Sequence, residues 1–353
     1  MTAGATRSQP ALFRQQAEAC DQLGSPMYAE LLAALGDDLE AGGPTARVLS
    51  GHEEDPGPSG LALRLAGSIH RLVLAGEATE LAGVYPTAGG TWSSAAVPAV
   101  LDFLDRRGGD VRPLLERPPQ TNEVGRAAAL VGGLLRLADR WRHPVRLFEI
   151  GSSGGLNLQA DRFRITGAVG GGWGDPASPV LLDRAWEGEP LPPAAPLEVV
   201  ARGGSDLHPV DVTTEDGRLT LTSYVWPDMT ERHARLAGAI ELAREAPVPV
   251  ELADAATYVE RLEVLPGTLT VLWHSVMWQY VPRDQQQRVT ARLAALGATA
   301  TPESPLVHLF AEPTRRTPGE EHRFWVCAEV WPGGGERAFL GLMAPHGVPV
   351  TWE

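Results

Sequence analysis

The spacing of apolar positions divides the chain into two regimes. Over residues 12–39 apolar side chains recur at helical spacing (Leu12, Phe13, Ala17, then Tyr28, Leu31, Leu32, Leu35), with a break at Gly24-Ser25-Pro26. Helical patterning resumes over 61–75 and near 95–105, while the polar stretch 50–60, rich in Gly and Pro, reads as an exposed loop. The first ten residues are expected to fray. No strand pattern precedes about residue 140, so residues 1–120 are expected to form a helical cap subdomain.

Beyond the Pro118-Pro119 break the period changes. A helix over 124–141 carries Leu130, Val131, Leu134, Leu135 and Leu137 on one face, and Val145–Ile150 then reads as a strand. Further apolar runs fall at 197–201, 219–225, 248–252, 269–273 and 306–310, the later ones separated by helical patterns at 231–244 and 284–296. Strands alternating with helices predict an α/β domain over 121–353, a doubly wound and mostly parallel sheet. The tail breaks that rhythm. Residues 324–330 and 337–343, joined by Trp331-Pro332-Gly333-Gly334-Gly335, predict a terminal antiparallel strand pair. Residues 160–200 form a Gly- and Pro-rich loop in this reading.

Composition removes several chemistries. All 30 basic residues are Arg, so a Schiff-base lysine and a P-loop lysine are both excluded. With 44 acids the net charge is −14, which disfavours nucleic acid and anionic membranes as partners. No apolar stretch reaches membrane-spanning length and no leader pattern opens the chain, so the expected location is cytoplasmic. Cys20 and Cys327 lack metal-ligand spacing, and the nine histidines form no HxxxH or HxH cluster. Pairings such as His308 with Glu312, or His322 with Glu329, have no ligand pattern either, and no metal is expected. The absence of GxSxG spacing argues against a serine hydrolase.

The most informative stretch is FEIGSSGGLNL, residues 148–158. A hydrophobic strand runs into glycines that permit close backbone approach to a ligand at the carboxyl edge of a sheet. Ser153 and Leu156 stand where a dinucleotide fingerprint needs glycine, which disfavours NAD or FAD. The stretch resembles the first motif of the class I S-adenosylmethionine-dependent methyltransferases, with Glu149, Gly151 and Gly155 matching and Ser153 replacing the middle glycine. The terminal strand pair is similar to that family's sheet, whose last strand inserts antiparallel.

Over its whole length the chain more closely resembles the bacterial DUF2332 proteins, a family with no assigned reaction. The matching stretches are LFEIGSSGGLNL, Gly204-Ser205-Asp206-Leu207-His208-Pro209-Val210-Asp211, Ser223-Tyr224-Val225-Trp226-Pro227-Asp228 and Trp273-His274-Ser275. The methyltransferase resemblance implies a Rossmann-like fold and S-adenosylmethionine as cofactor. It implies a contact surface at Glu149, Gly151, Ser153, Gly155 and Asn157, with Asp206 holding the ribose and Asp254 the adenine amino group. Carboxylates suit both tasks because they accept two hydrogen bonds in a fixed fork.

Chemistry is expected after the strand at 269–273. His274 is the candidate general base, and Trp273 and Trp278 candidate pocket walls. Tyr224 and Trp226 are further candidates, and Arg232 and Arg235 could hold an acidic group on a small-molecule or peptide substrate. The expected activity is methyl transfer; the alternative is a noncatalytic binding or interaction protein that kept the fold. Oligomeric state and acceptor atom are not encoded in any motif.

Overall fold

The computed structural model describes residues 8–137, 142–168, 171–191 and 197–353. The frayed start and the last turn of the 124–141 helix fall largely on residues outside that set. Two compact units emerge, one of residues up to Thr121 together with Glu215–His233, the other of Asn122–Thr214 and Ala234–Glu353.

Up to Thr121 the described residues of the first unit are helical where they form regular structure, as the periodicity there predicts. It contains α1 (Gln9–Gln22), α2 (Pro26–Glu40), α3 (Pro44–Val48), α4 (Leu61–Leu74) and α5 (Val97–Val111). Ser25 caps α2 by accepting from the Tyr28 N–H, and Pro26 supplies a fixed φ at the first helical position. Phe13, Leu31, Leu35, Leu65, Ile69 and Phe103 form its core. Burying Arg64 in that setting requires partners: it donates to Leu115 O at 2.6 Å and pairs with Asp55 at 2.6 Å.

The second unit opens with α6 (Ala127–Leu137) and β1 (Val145–Ile150). Three strands follow, β2 (Arg164–Gly167), β3 (Gly172–Trp173) and β4 (Leu181–Gly188), and then β5 (Val199–Asp206). After α7 (Glu215–Ser223), which lies in the helical unit, come α8 (Thr230–Glu245), β6 (Val250–Leu252), α9 (Ala255–Glu260) and β7 (Leu269–Ser275). The chain closes with α10 (Arg283–Thr299), β8 (Leu306–Thr314), β9 (Arg323–Trp331), β10 (Ala338–Met343) and β11 (Val350–Trp352).

These eleven strands form one sheet in the order β3-β2-β4-β11-β10-β9-β8-β7-β1-β5-β6. The run β6-β5-β1-β7-β8 is parallel throughout, and in chain order it reads third, second, first, fourth, fifth. This is a doubly wound α/β arrangement with its switch point between β1 and β7. The antiparallel tail is also present. It is a meander in which β9 follows β8 directly as an antiparallel neighbour, so the antiparallel strand comes first in the tail and is not inserted last.

Each face is covered where helices are available. On one, α6 lies close to the sheet because Gly132 and Gly133 leave room for Trp352 and Leu309. On the other, Leu293 and Leu296 of α10 and Val259 of α9 pack with Ile150 and Leu272. No crossover helix follows β8, so α10 is the last helix on that side.

Two local expectations change. Residues 219–225 alternate apolar and polar, yet 215–223 are helical. Thr220 and Thr222 bond back to the carbonyls of Asp216 and Arg218 at 2.8 Å each, and Glu215 and Asp216 favour a helix start. The Gly- and Pro-rich loop over 160–200 contains β2, β3 and β4. Their half-exposed, edge-of-sheet positions gave little periodicity to read.

Candidate functional site

The parallel register brings β1, β5 and β7 to a common carboxyl edge, with Glu149 opposite both Gly204 and Trp273. The turn after β1 enters the left-handed region three times, at Gly151 (φ +69°), Ser153 (φ +54°) and Gly155 (φ +71°). Only glycine adopts this freely, so Ser153 is held there by its surroundings. Its N–H donates to Asp206 Oδ2 at 2.8 Å, and its carbonyl accepts from Val210 at 3.1 Å.

Every amide from Ser152 to Leu156 is committed within the protein. Ser152 N–H donates to Ser205 O and Gly155 N–H to Ser152 O. Gly154 and Leu156 both donate to Asn122 Oδ1, at 3.2 and 3.0 Å. Asn122, thirty-two residues upstream of Gly154 in the chain, was not among the sequence candidates. Asn157 is buried and donates to Glu123 O at 3.3 Å, leaving its Oδ1 without a hydrogen bond among the described residues.

Asp206 ends β5 and accepts a second bond from the His208 N–H at 2.8 Å. Asp254 follows β6 and caps α9, accepting from the Thr257 N–H at 2.9 Å and hydroxyl at 2.7 Å. Those bonds hold its carboxyl below the usual range. Each carboxylate retains free lone pairs. Glu149 differs, because burial pushes its carboxyl well above 4.5, Asp206 adds to the rise, and the Trp273 indole opposes it without closing a hydrogen bond. Met277 lies against Gly151, where an added Cβ would meet its Cγ at 2.9 Å. The cavity beside the turn measures about 200 Å³ and is lined by Gly154, Gly155, Gln159 and residues 209–213.

A larger feature lies on the α10 face. A groove of about 810 Å³ runs between α10 and the faces of β8 and β9. Strand alternation puts His274 of β7, His308, Phe310 and Glu312 of β8, and Glu329 of β9 on this side. The four polar ones form one hydrogen-bonded chain. His274 Nδ1 meets Glu312 Oε1 at 2.8 Å, His274 Nε2 meets His308 Nε2 at 3.0 Å, and His308 Nδ1 meets Glu329 Oε2 at 3.0 Å. Arg337 closes the chain by donating to Glu329 Oε1 at 3.0 and 2.9 Å.

Protons can be counted along it. Both carboxylates are acceptors, so each ring presents Nδ1–H, and the contact between the two Nε2 atoms needs one proton more. Burial opposes placing that proton on His308, pushing it down to about 4. Glu329 is held below the usual carboxylate range: burial opposes this, and His308 and Arg337 outweigh it.

Glu312 Oε1 also accepts from the N–H groups of Met277 at 3.0 Å and Trp278 at 3.2 Å. Val276, β-branched yet at φ +51°, supplies the turn that aims both groups there. Glu312 Oε2 is buried and without a partner among the described residues.

The remaining sequence candidates are dispersed. His274 is 1% exposed, with both nitrogens engaged and its ring stacked between Trp278 (5.0 Å) and Phe310 (5.4 Å). As drawn from sequence it was a general base; here it has no nitrogen facing a substrate. Trp278 lines the groove, whereas Trp273 is buried on the opposite face beside Glu149. Tyr224, Trp226 and Arg232 belong to the helical unit, Tyr224 against Gly67 and the buried Arg232 over the Trp226 ring at 5.4 Å. Arg235 lies in the α8 segment of the sheet unit near Gly125. Among the described residues no cluster of His, Cys, Asp and Glu is arranged to hold a metal, and no helix is long and apolar enough to cross a membrane.

The partners of the two groove histidines are not those nearest in sequence. His308 pairs with Glu329 and His274 with Glu312, while His322 meets Arg315. The available signal was the alternation His308-x-Phe310-x-Glu312, which places all three on one face of a strand.

A family described as "Uncharacterized protein conserved in bacteria (DUF2332)" matches residues 10–352. Comparison with curated proteins finds no significant match. Comparison with solved structures finds none either.

Proposed function

The chain belongs to this bacterial family, and we propose that it is an S-adenosylmethionine-dependent methyltransferase acting on a small molecule or peptide. One observation carries the reading. At the switch point of a third-second-first-fourth-fifth parallel sheet stands a glycine turn flanked by two oriented carboxylates, Asp206 and Asp254, with the turn's amides already used. A pyrophosphate needs free N–H groups at such a turn. A cofactor carrying an ammonium, a sulfonium and ribose hydroxyls needs acceptors instead, and the free lone pairs on both acids and the orphaned Asn157 Oδ1 supply them.

When bound, that cofactor supplies an electrophilic methyl group. The chain's own part is to bind and orient: Asp206 and Asp254 accept hydroxyl or amino donors, and Gly151 and Gly155 let the ligand approach the backbone. The cavity of about 200 Å³ lies below the roughly 300–1,000 Å³ of ordinary ligand sites. Binding therefore entails opening of that cavity.

Calorimetric titration with S-adenosylmethionine and S-adenosylhomocysteine tests this, with ATP and NAD as phosphate-bearing controls. Binding of the first pair, no binding of the second, and at least tenfold weaker affinity in Asp206→Ala support the reading. No affinity for either sulfur compound at millimolar concentration defeats it. A second reading, binding without transfer, is favoured by the closed environment of His274; it expects affinity for the cofactor but no S-adenosylhomocysteine released on incubation with cell extract.

A further inference from the structure

The groove between α10 and the β8–β9 face is not used by the proposed methyl transfer. It exists because β8 turns straight back into β9, so no crossover helix fills the space beyond α10. Glycine deepens it. Trp331 is flanked by Gly297 and Gly335, where an added Cβ would come within 2.4 and 2.3 Å of its indole. The volume of about 810 Å³ lies within the range of small-molecule sites.

Its wall contains an acceptor with nothing to accept. Glu312 is 5% exposed at the side chain, and Oε1 takes three donors while Oε2 takes none among the described residues. A buried carboxyl oxygen left unsatisfied is costly, and an incoming donor removes that cost. Trp278, Phe310 and Trp331 give the same groove aromatic walls, which favour a cation with an apolar body.

We propose that this groove binds a small organic ammonium compound, its cationic head on Glu312 and its apolar body along Trp278 and Trp331. An anion finds no donor on Glu312, Arg337 being held on Glu329, and neutral isosteres give up the charge-assisted bond. The site is independent of the methyltransferase reading and stands or falls without it.

The test is calorimetric titration of the full chain with benzylamine, benzyl alcohol and benzoate, repeated with saturating S-adenosylhomocysteine. Benzylamine is expected to bind at least tenfold more tightly than the other two, with or without the nucleoside. Glu312→Gln should abolish that preference. Ala294→Trp, an exposed α10 position on the groove wall, should block binding with the network intact, and it keeps the test decisive if Glu312→Gln does not fold. Equal affinity for amine and alcohol, preference for benzoate, no binding of benzylamine, or undiminished binding in Ala294→Trp each overturn the proposal.

Discussion

Trp273 and His274 are neighbours in β7, yet they serve opposite sides of one sheet. On the Trp273 side, Glu149 is buried beside the glycine turn with burial pushing its carboxyl up, toward the neutral form. On the His274 side, two carboxylates, two imidazoles and a guanidinium share protons in one chain. Both sides are buried, so burial alone does not decide whether a group carries charge. What decides is the supply of partners. Glu149 Oε2 has none, whereas Glu329 has two cationic or donating neighbours that outweigh its desolvation.

Substitutions can break this contrast. The largest effect is expected on the His274 side, where Glu312→Ala leaves His274 Nδ1 and the N–H groups of Met277 and Trp278 without their acceptor. Removing one partner of a buried pair costs about 3–5 kcal/mol, readable as a shift in the urea midpoint. A loss below about 1 kcal/mol would mean that these bonds contribute little to the fold. On the turn side the comparable blow is steric. Gly155→Ala combines φ +71° with a contact of 2.9 Å to Val250, for about 1–3 kcal/mol. Gly334→Ala, at φ +85° in open space, should cost only about 1 kcal/mol, and equal losses at the two positions would remove the packing argument.

Smaller again is Asp254→Ala, which deletes the α9 cap. About 1 kcal/mol of stability should go, by thermal denaturation, along with cofactor affinity if the proposed function holds. Stability retained with affinity lost would assign Asp254 to the ligand alone.

The subtlest prediction is a pair of opposite slopes with pH. His308 has a folded value near 4 against an ordinary 6.5, so the unfolded chain takes up that proton first as pH falls, and stability is lost between 6.5 and 4. His70, pushed to about 3 by burial in the helical unit, contributes in the same direction. Glu149 has the reverse sign. Its folded value lies above 4.5, so the unfolded chain releases the proton first as pH rises, and its contribution is full below 4.5 and lost going up. Glu149→Gln mimics the neutral acid and should therefore be more stable than the native chain at pH 8, with the advantage vanishing near pH 4. Melting temperatures of both proteins across that range check it; a destabilised variant at pH 8 would show that Glu149 is ionised in the fold.

The turn was legible because its meaning is local. Glu149, Gly151, Ser153 and Gly155 sit within seven consecutive residues, and a strand running into left-handed backbone leaves a contiguous trace in sequence. Asp206 and Asp254 were singled out for a similar reason, each standing where a strand gives way to a loop. Asn122 was missed because its side chain serves two amides that are distant in sequence, and nothing local marks that role. Arg232 and Trp226 were each legible as substrate candidates, but their contact with one another, cation over ring and both buried, was not.

The sequence by itself determined the helical start, the switch to alternating strands and helices, the antiparallel tail and the absence of any lysine chemistry. Periodicity and residue type are properties of neighbours along a chain, so they survive without coordinates. Only the tertiary structure decided that His274 meets His308, that Glu312 keeps one oxygen unpaired, and that a groove opens where β8 turns back on itself. Those facts depend on strand register across three segments. A shift of one residue would turn every one of these side chains to the other face.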